Sequence, residues 1–299
     1  MTVAAILGVK DEVELVSQAI AHLRRLGVVQ MIISDYSSSD GTIDVLLDER
    51  RRHGDVVITH VDQHAVRDYG TWSIRELALA ASAGTDWVVF LDADEFWVPA
   101  SGSLVDACRT ADADVILADR YNVVLTAAGP RLPEIIQPQS HGDLLLYGRR
   151  PDHLKNFVDA HPEIPFISLM PGPKVMVRPA AIVGVAPGHH DVLASTRVRK
   201  VARTDLLVAH VAFSSAARFA RKIDNIRAEL ASHPDYFAGD LAWHWRRWAA
   251  LDGPPEVERE FARQVVDDET LATLRSERVV QTAAEIFAAA EVWQPQAQG

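Results

Sequence analysis

Cysteine is almost missing from this 299-residue chain. Cys108 stands alone, which excludes an intrachain disulfide framework and fits a reducing compartment. Positive charge is also in short supply. Lys and Arg number 30 against 41 Asp and Glu, leaving a formal charge of −11. A protein that wraps nucleic acid would want a basic stripe, so nucleic acid is not the expected partner. The balance gives no support to a polybasic membrane anchor either. No run of about 18 apolar residues occurs, so no transmembrane segment is expected. The first residues lack the basic region and cleavage site of a secretory leader. No internal repeat is visible. These absences together point to a cytoplasmic enzyme.

What is present is ordinary for a globular protein: 48% hydrophobic and 24% charged residues. The length allows one large α/β domain or a domain with an appendage. Val3 to Val9 reads as a first buried strand, and Leu15, Val16, Ala19, Ile20 and Leu23 repeat with helical spacing before a C-cap at Gly27. Gln30 to Ser34 reads as a second strand, with a Ser/Asp-rich turn supplying caps for a helix through Leu47. Val56 to Val61 makes a third strand, and Ile74 to Ala81 belongs to another helix. This alternation predicts a doubly wound, mostly parallel, Rossmann-like sheet. Beyond it, Val115 to Ala118 and Asn122 to Thr126 read as strands. Residues 130–173 read as loops and short antiparallel strands around an acceptor site. Lys174 to Val177 and Ile182 to Val185 read as a hairpin, and Leu206 to Val211 as the last strand. From Ser214 the pattern is helical, near 214–231, 236–251, 256–266 and 270–291, with Gly253-Pro254-Pro255 as a break. The tail from Gln294 to Gly299 reads as frayed.

The stretch from Trp87 to Trp97 organises this pattern. Trp87 to Leu91 is a wholly apolar run fit for a central strand, and Asp92, Asp94 and Glu95 follow at its end. Ligands of open α/β sheets collect outside the carboxyl ends of strands. Asp92 and Asp94 are two apart, so in an extended segment they share a side. Paired hard oxygens of this kind suit a divalent cation that also holds phosphates. Acids at a strand end can otherwise be plain solvated loop.

The string from Trp87 to Phe96 resembles the metal-site strand of family-2-like glycosyltransferases with the GT-A fold, in the branch whose DxD motif reads Asp-Ala-Asp-Glu-Phe. The resemblance covers about the first two-thirds of the chain. It implies that the turn Val9-Lys10-Asp11-Glu12 lies at the nucleotide base, with Asp11 in the position of the family's Asn. It implies that Asp35 accepts a hydrogen bond from a pyrimidine ring N–H, which needs an acceptor; as a residue of its own, Asp35 also suits an Asx turn, and Asp40 a helix cap. Arg75 matches the residue facing the donor, beside Glu76 where the family has Asn; it is equally a helix-surface arginine. Asp92 would contact the ribose or reach the metal through water, and Asp94 would bind the metal directly. Glu95 would face the donor or cap the loop that follows.

His189-His190-Asp191 resembles the family's His-Glu/His-Asp element, in which the carboxylate takes the acceptor hydroxyl proton. Asp191 is then the catalytic base, with His190 as a rival metal ligand. His210 resembles a late metal-binding His, with Val211 where the family has Tyr; a core histidine is the other reading. Trp243, Trp245, Trp248 and Trp293, with Phe237 and Phe261, read mainly as packing. The expected whole is a GT-A domain at 1–211 with a helical C-terminal region at 212–299. Its expected function is Mn2+- or Mg2+-dependent, inverting transfer from a nucleotide-sugar donor, UDP- or dTDP-sugar favoured, to a glycan, lipid-linked or small-molecule acceptor. Two alternatives stay open: a haloacid-dehalogenase-type phosphohydrolase, and a non-catalytic nucleotide-binding relative.

Overall fold

Strand and helix alternate through the first ninety residues, as the hydrophobic periods require. In order these are β1 (Val3–Val9), α1 (Val16–Arg25), β2 (Val28–Asp35), α2 (Thr42–His53), β3 (Val56–His60), α3 (Trp72–Ser82) and β4 (Trp87–Asp92). The computed structural model describes residues 1–60, 72–234 and 242–292. Val61, Gly70, Phe237, Trp293 and the 294–299 tail, all read above from sequence, lie outside the described residues. In β1 and β4 both faces are buried, which is why their apolar runs show no alternation. Gly27, at φ +87°, ends α1 and donates its N–H to the Arg24 carbonyl.

The middle of the chain adds β5 (Glu95–Pro99), α4 (Leu104–Arg109), β6 (Val115–Asn122), β7 (Leu125–Thr126), β8 (Gly129–Pro130), β9 (Leu145–Tyr147) and α5 (Leu154–Ala160). Then come β10 (Lys174–Val177), β11 (Gly184–Val185), β12 (Val192–Leu193) and β13 (Lys200–His210). The chain closes with α6 (Ala216–Ser232), α7 (Trp243–Ala249), α8 (Gly253–Ala262), α9 (Asp268–Ser276), β14 (Val280–Thr282) and α10 (Ala283–Val292).

Eight strands form one sheet in the order β3-β2-β1-β4-β10-β6-β13-β5. The run from β3 to β4 is parallel, and so are β6 and β13. Only β10 and β5 run against their neighbours. On one face Val16, Ile20 and Leu23 of α1 and Leu46 of α2 pack on Val3, Ala5 and Leu7. On the other, Leu77 and Ala80 of α3 pack on Ala4, Ile6, Val88 and Phe90. The expected doubly wound α/β sheet is therefore the sheet observed. It follows that the carboxyl ends of β1, β2, β4, β6 and β13 meet the amino ends of β10 and β5 at one edge.

Several local expectations are corrected. The strand read at 115–118 runs on to Asn122 as β6, carrying Arg120 to a buried carboxylate, and of the strand read at 122–126 only Leu125–Thr126 forms a separate one, β7. The hairpin read at 174–185 does not form. β10 is buried on both faces and inserts between β4 and β6, while β11 pairs with β12. The strand at 206–211 begins earlier, at Lys200, and is not the last. In place of one helix over 270–291, Arg278 turns left-handed (φ +57°) after α9 and β14 pairs with β9. Gly253-Pro254-Pro255 starts α8 rather than breaking a helix, since prolines in the first turn have no N–H that the helix needs. Trp248 does pack as expected, edge-on against Phe166, Phe213 and Phe219.

Candidate active site

The edge where five strands end and two begin carries an ion-pair lattice. β4 brings Asp92, the turn after it Asp94, and the start of β5 Glu95. Lys174, first residue of β10, is fully buried between two of these acids, 2.9 Å from Asp92 and 2.8 Å from Glu95. Arg120 of β6 meets the other Glu95 oxygen at 2.5 Å. The Asp92 N–H also donates to Glu95, at 3.0 Å. Glu95 is thus held on both oxygens.

Asp94 is approached from a different element. Arg218, on α6, donates to Asp94 at 2.7 Å and to both oxygens of Glu12 at 2.8 and 2.9 Å. Lys222, one turn further along α6, reaches the same Asp94 oxygen at 3.3 Å. Four acids (Glu12, Asp92, Asp94, Glu95) therefore face four cations (Arg120, Lys174, Arg218, Lys222). Burial opposes ionisation of Asp94, but Lys222, His210 and Arg218 overbalance it and hold the carboxyl well below its usual range. For Glu95, Lys174 does the same. Asp92, with its side chain 45% exposed, is likewise lowered: desolvation is outweighed by Lys174. Glu12 goes the other way, pushed up by burial against the pull of Arg218.

His210 stands at the end of β13 with a defined tautomer. Its Nδ1 is 2.7 Å from the Asn122 amide oxygen, and the Asn122 amide nitrogen donates to the Leu169 carbonyl at 2.8 Å. The Nδ1 proton is thereby claimed by Asn122, and burial lowers the pKa of the ring against the opposing pull of Asp94. Nε2 then faces the Asp94 oxygen, 3.6 Å away. Asp94, Glu95 and His210 bring ligand atoms within 4.8 Å of one another and can hold a metal ion. Their oxygen and imidazole donors suit a hard or borderline divalent cation, and Asn122 is the kind of partner that orients a metal-binding histidine.

His190 sits in a cradle of glycines. A methyl group at Gly188 would stand 2.7 Å from its ring and one at Gly172 3.2 Å. Its Nδ1 bonds the Pro173 carbonyl at 2.7 Å, and burial, with Arg120 and Lys174 nearby, lowers its pKa to about 4. His190 thus joins the Glu95 side of the lattice, not the Asp94–His210 pair. Asp191 is 53% exposed and meets Lys200 at 2.5 Å, which lowers its pKa.

On the nucleotide side, Asp35 ends β2 buried and accepts the Ser38 N–H, three residues on, at 3.3 Å, one residue further than an Asx turn. Asp40 accepts the Thr42 N–H at 3.0 Å at the start of α2. Val9 ends β1 buried, and Lys10 bonds the Ser37 carbonyl at 2.6 Å. Asp11 takes up φ +55° and accepts from Ser39 and from Asn225 of α6. Arg75 lies on the exposed face of α3, while its neighbour Glu76 is buried and accepts from Ser34.

Sequence reading missed the cations that neutralise these acids: Arg120, Lys174, Arg218 and Lys222. A charged residue interrupting an apolar strand, as Arg120 and Lys174 do, was the available signal. For α6 none was available, since Arg218 and Lys222 read as an ordinary solvated helix face. His244 was missed as well. It stacks on Phe166 (5.7 Å between centroids, 16° between planes), and burial, with Lys222, Arg120, His190 and His210 around it, lowers its pKa to about 4.

The chain matches no protein-family model and no curated protein. Among solved structures it is similar to the mannosyltransferase PcManGT from Pyrobaculum calidifontis, in complex with GDP-Man and Mn2+. That likeness has 15% identity over 98% of this chain and 76% of that one, at a TM-score of 0.39. It is also similar to S. aureus TarS 1-349, with 12% identity over 88% and 70% of the two chains and a TM-score of 0.39. A third is glucosyl-3-phosphoglycerate synthase from Mycobacterium tuberculosis in complex with Mn2+, UDP and glucosyl-3-phosphoglycerate. There the identity is 16% over 60% and 58% of the chains, with a TM-score of 0.32.

Proposed function

We propose that this chain is a GT-A-type, family-2-like glycosyltransferase that moves a sugar from a nucleotide-sugar donor to an acceptor hydroxyl with inversion. The observation that carries the reading is the Asp94, Glu95 and His210 cluster at the carboxyl edge of the sheet, whose ligand atoms lie within 4.8 Å of one another. Around it the acids are neutralised one for one. The donor diphosphate lies along this edge, with the base against Val9, Lys10, Glu12 and Asp35 and the ribose near Asp92. Asp35 favours a uracil or thymine N–H, and Arg75 borders the entry. Asp94 and His210 would hold a divalent cation, Mn2+ or Mg2+, with Asp92 beside them. When bound, that cation offsets charge on the departing diphosphate. The acceptor oxygen attacks the anomeric carbon as the bond to the diphosphate breaks, and Asp191 takes the hydroxyl proton. His190, anchored between Gly172 and Gly188, fixes the turn that carries Asp191.

Region 1–211 then binds the donor, and 212–299 closes the site through Arg218. The acceptor is a glycan, a lipid-linked sugar or a small molecule. No described helix is long and apolar enough to cross a membrane, and the buried lone Cys108 suits the cytoplasmic placement we propose.

A thermal-shift panel of nucleoside diphosphates tests the reading. With Mn2+ present, UDP or dTDP at about a hundredfold over its Kd should add roughly 2.7 kcal/mol of apparent stability. Asp94→Ala should abolish the gain. No shift with any diphosphate in the wild-type protein would sink the reading. The Lys174–Asp92 contact also suits a phosphohydrolase whose carboxylate nucleophile is held by a lysine. Phosphate release from a generic phosphoester, abolished by Asp92→Asn, would favour that alternative.

A further inference from the structure

The four cations of the lattice are not held alike. Lys174 is fully buried between two carboxylates. Arg120 has only 11% of its side chain exposed, against Glu95. Arg218 has 3% exposed and donates to Glu12, Asp94 and the Val211 carbonyl together. Lys222 differs on every count. It makes one long contact, at 3.3 Å, with an Asp94 oxygen that Arg218 already meets at 2.7 Å, and 29% of its side chain is open to solvent. Asp94 would keep Arg218 and His210 if Lys222 turned away. The ammonium sits on a flexible four-carbon stem that lets it move.

We infer that Lys222 is a diphosphate-binding residue, parked on Asp94 and released to the phosphate oxygens of the donor when these arrive. The inference rests on the transferase reading above and adds a residue to that site. A lysine binds phosphate as a mobile point charge, whereas a guanidinium locked in a fork cannot follow a ligand. The surroundings fit this role. Glu12, Asp94 and His244 all lie within electrostatic reach of Lys222, and the two carboxylates are both met by Arg218. Arg218, Lys222 and Asn225 follow one face of α6 at i, i+4 and i+7. Arg218 and Asn225 at the two ends pin the helix to Glu12 and Asp11, which leaves the middle position as the movable one.

Calorimetric titration with UDP, inorganic pyrophosphate and uridine, each in EDTA and in Mn2+, tests the inference on wild type, Lys222→Met and Lys222→Arg. Lys222→Met should weaken UDP and pyrophosphate about tenfold or more in both media and leave uridine unchanged. Lys222→Arg should recover part of that loss. Wild type that binds UDP while Lys222→Met binds it equally well would overturn this inference alone. Equal weakening of uridine would overturn it too, by marking a structural defect. Wild type that binds no diphosphate would overturn the transferase reading and this inference with it.

Discussion

Lys174 shows how much a single residue can carry. A fully buried ammonium is tolerated only because Asp92 and Glu95 meet it at 2.9 and 2.8 Å. Removing it leaves Glu95, itself without exposure, short of one of its two cations. Breaking a buried pair from one side typically costs about 3–5 kcal/mol. Lys174→Met should therefore lower the urea midpoint by about that free energy, and Lys174→Met with Glu95→Gln should cost less than the two changes summed. Additive losses in that cycle would mean the pair is not coupled. The same logic explains why Arg120 sits mid-strand. In sequence it looks like an interruption, and in the fold it is the second counter-charge of Glu95.

Among the elements, the turn between β11 and β12 is the most constrained. Gly188 and His189 take up φ +73° and +59° in succession, and the His190 ring fills the space that a side chain at Gly188 would need. A non-glycine residue in this region carries strain of the order of 1–3 kcal/mol, and strain of this kind gathers at functional turns. Asp191 hangs from that rigid turn with its carboxylate on Lys200. If it is the base, Asp191→Asn should lower kcat by about a hundredfold or more and leave donor affinity unchanged. Steady-state kinetics beside donor titration checks this, and an undiminished rate would remove Asp191 from the chemistry. The helix α6 matters for the opposite reason: it comes from a region that reads as an appendage, yet Ser215 caps it and Arg218 fastens it across the mouth of β1.

Across the whole molecule, buried histidines set the response to acid. His22, His189, His190 and His244 are each lowered by burial to about 4, against 6.5 for the free side chain. Between pH 6.5 and 4 the unfolded chain binds protons that the folded one refuses, so stability falls as pH falls. Below about 4.5 the lowered carboxyls of Asp94 and Glu95 act in the same direction, while the raised Glu12 acts in the opposite direction above that pH. The melting temperature should drop by several degrees from pH 7 to pH 5, as differential scanning calorimetry would show. A flat profile would contradict this account. How the fold came to be legible follows from the same physics. Apolar runs such as Trp87–Leu91 and the spacing of Val16, Ile20 and Leu23 are local patterns that fix strand, helix and parallel winding without reference to distant residues. The acids at the end of β4 were visible for that reason. Their partners were not, because Lys174, Arg120, Arg218 and Lys222 lie 25 to 206 residues from the carboxylates they meet. Which charge faces which was decided only when β10 inserted between β4 and β6 and α6 crossed the end of β1. A buried charge is held by proximity in space, and sequence spacing carries no record of it.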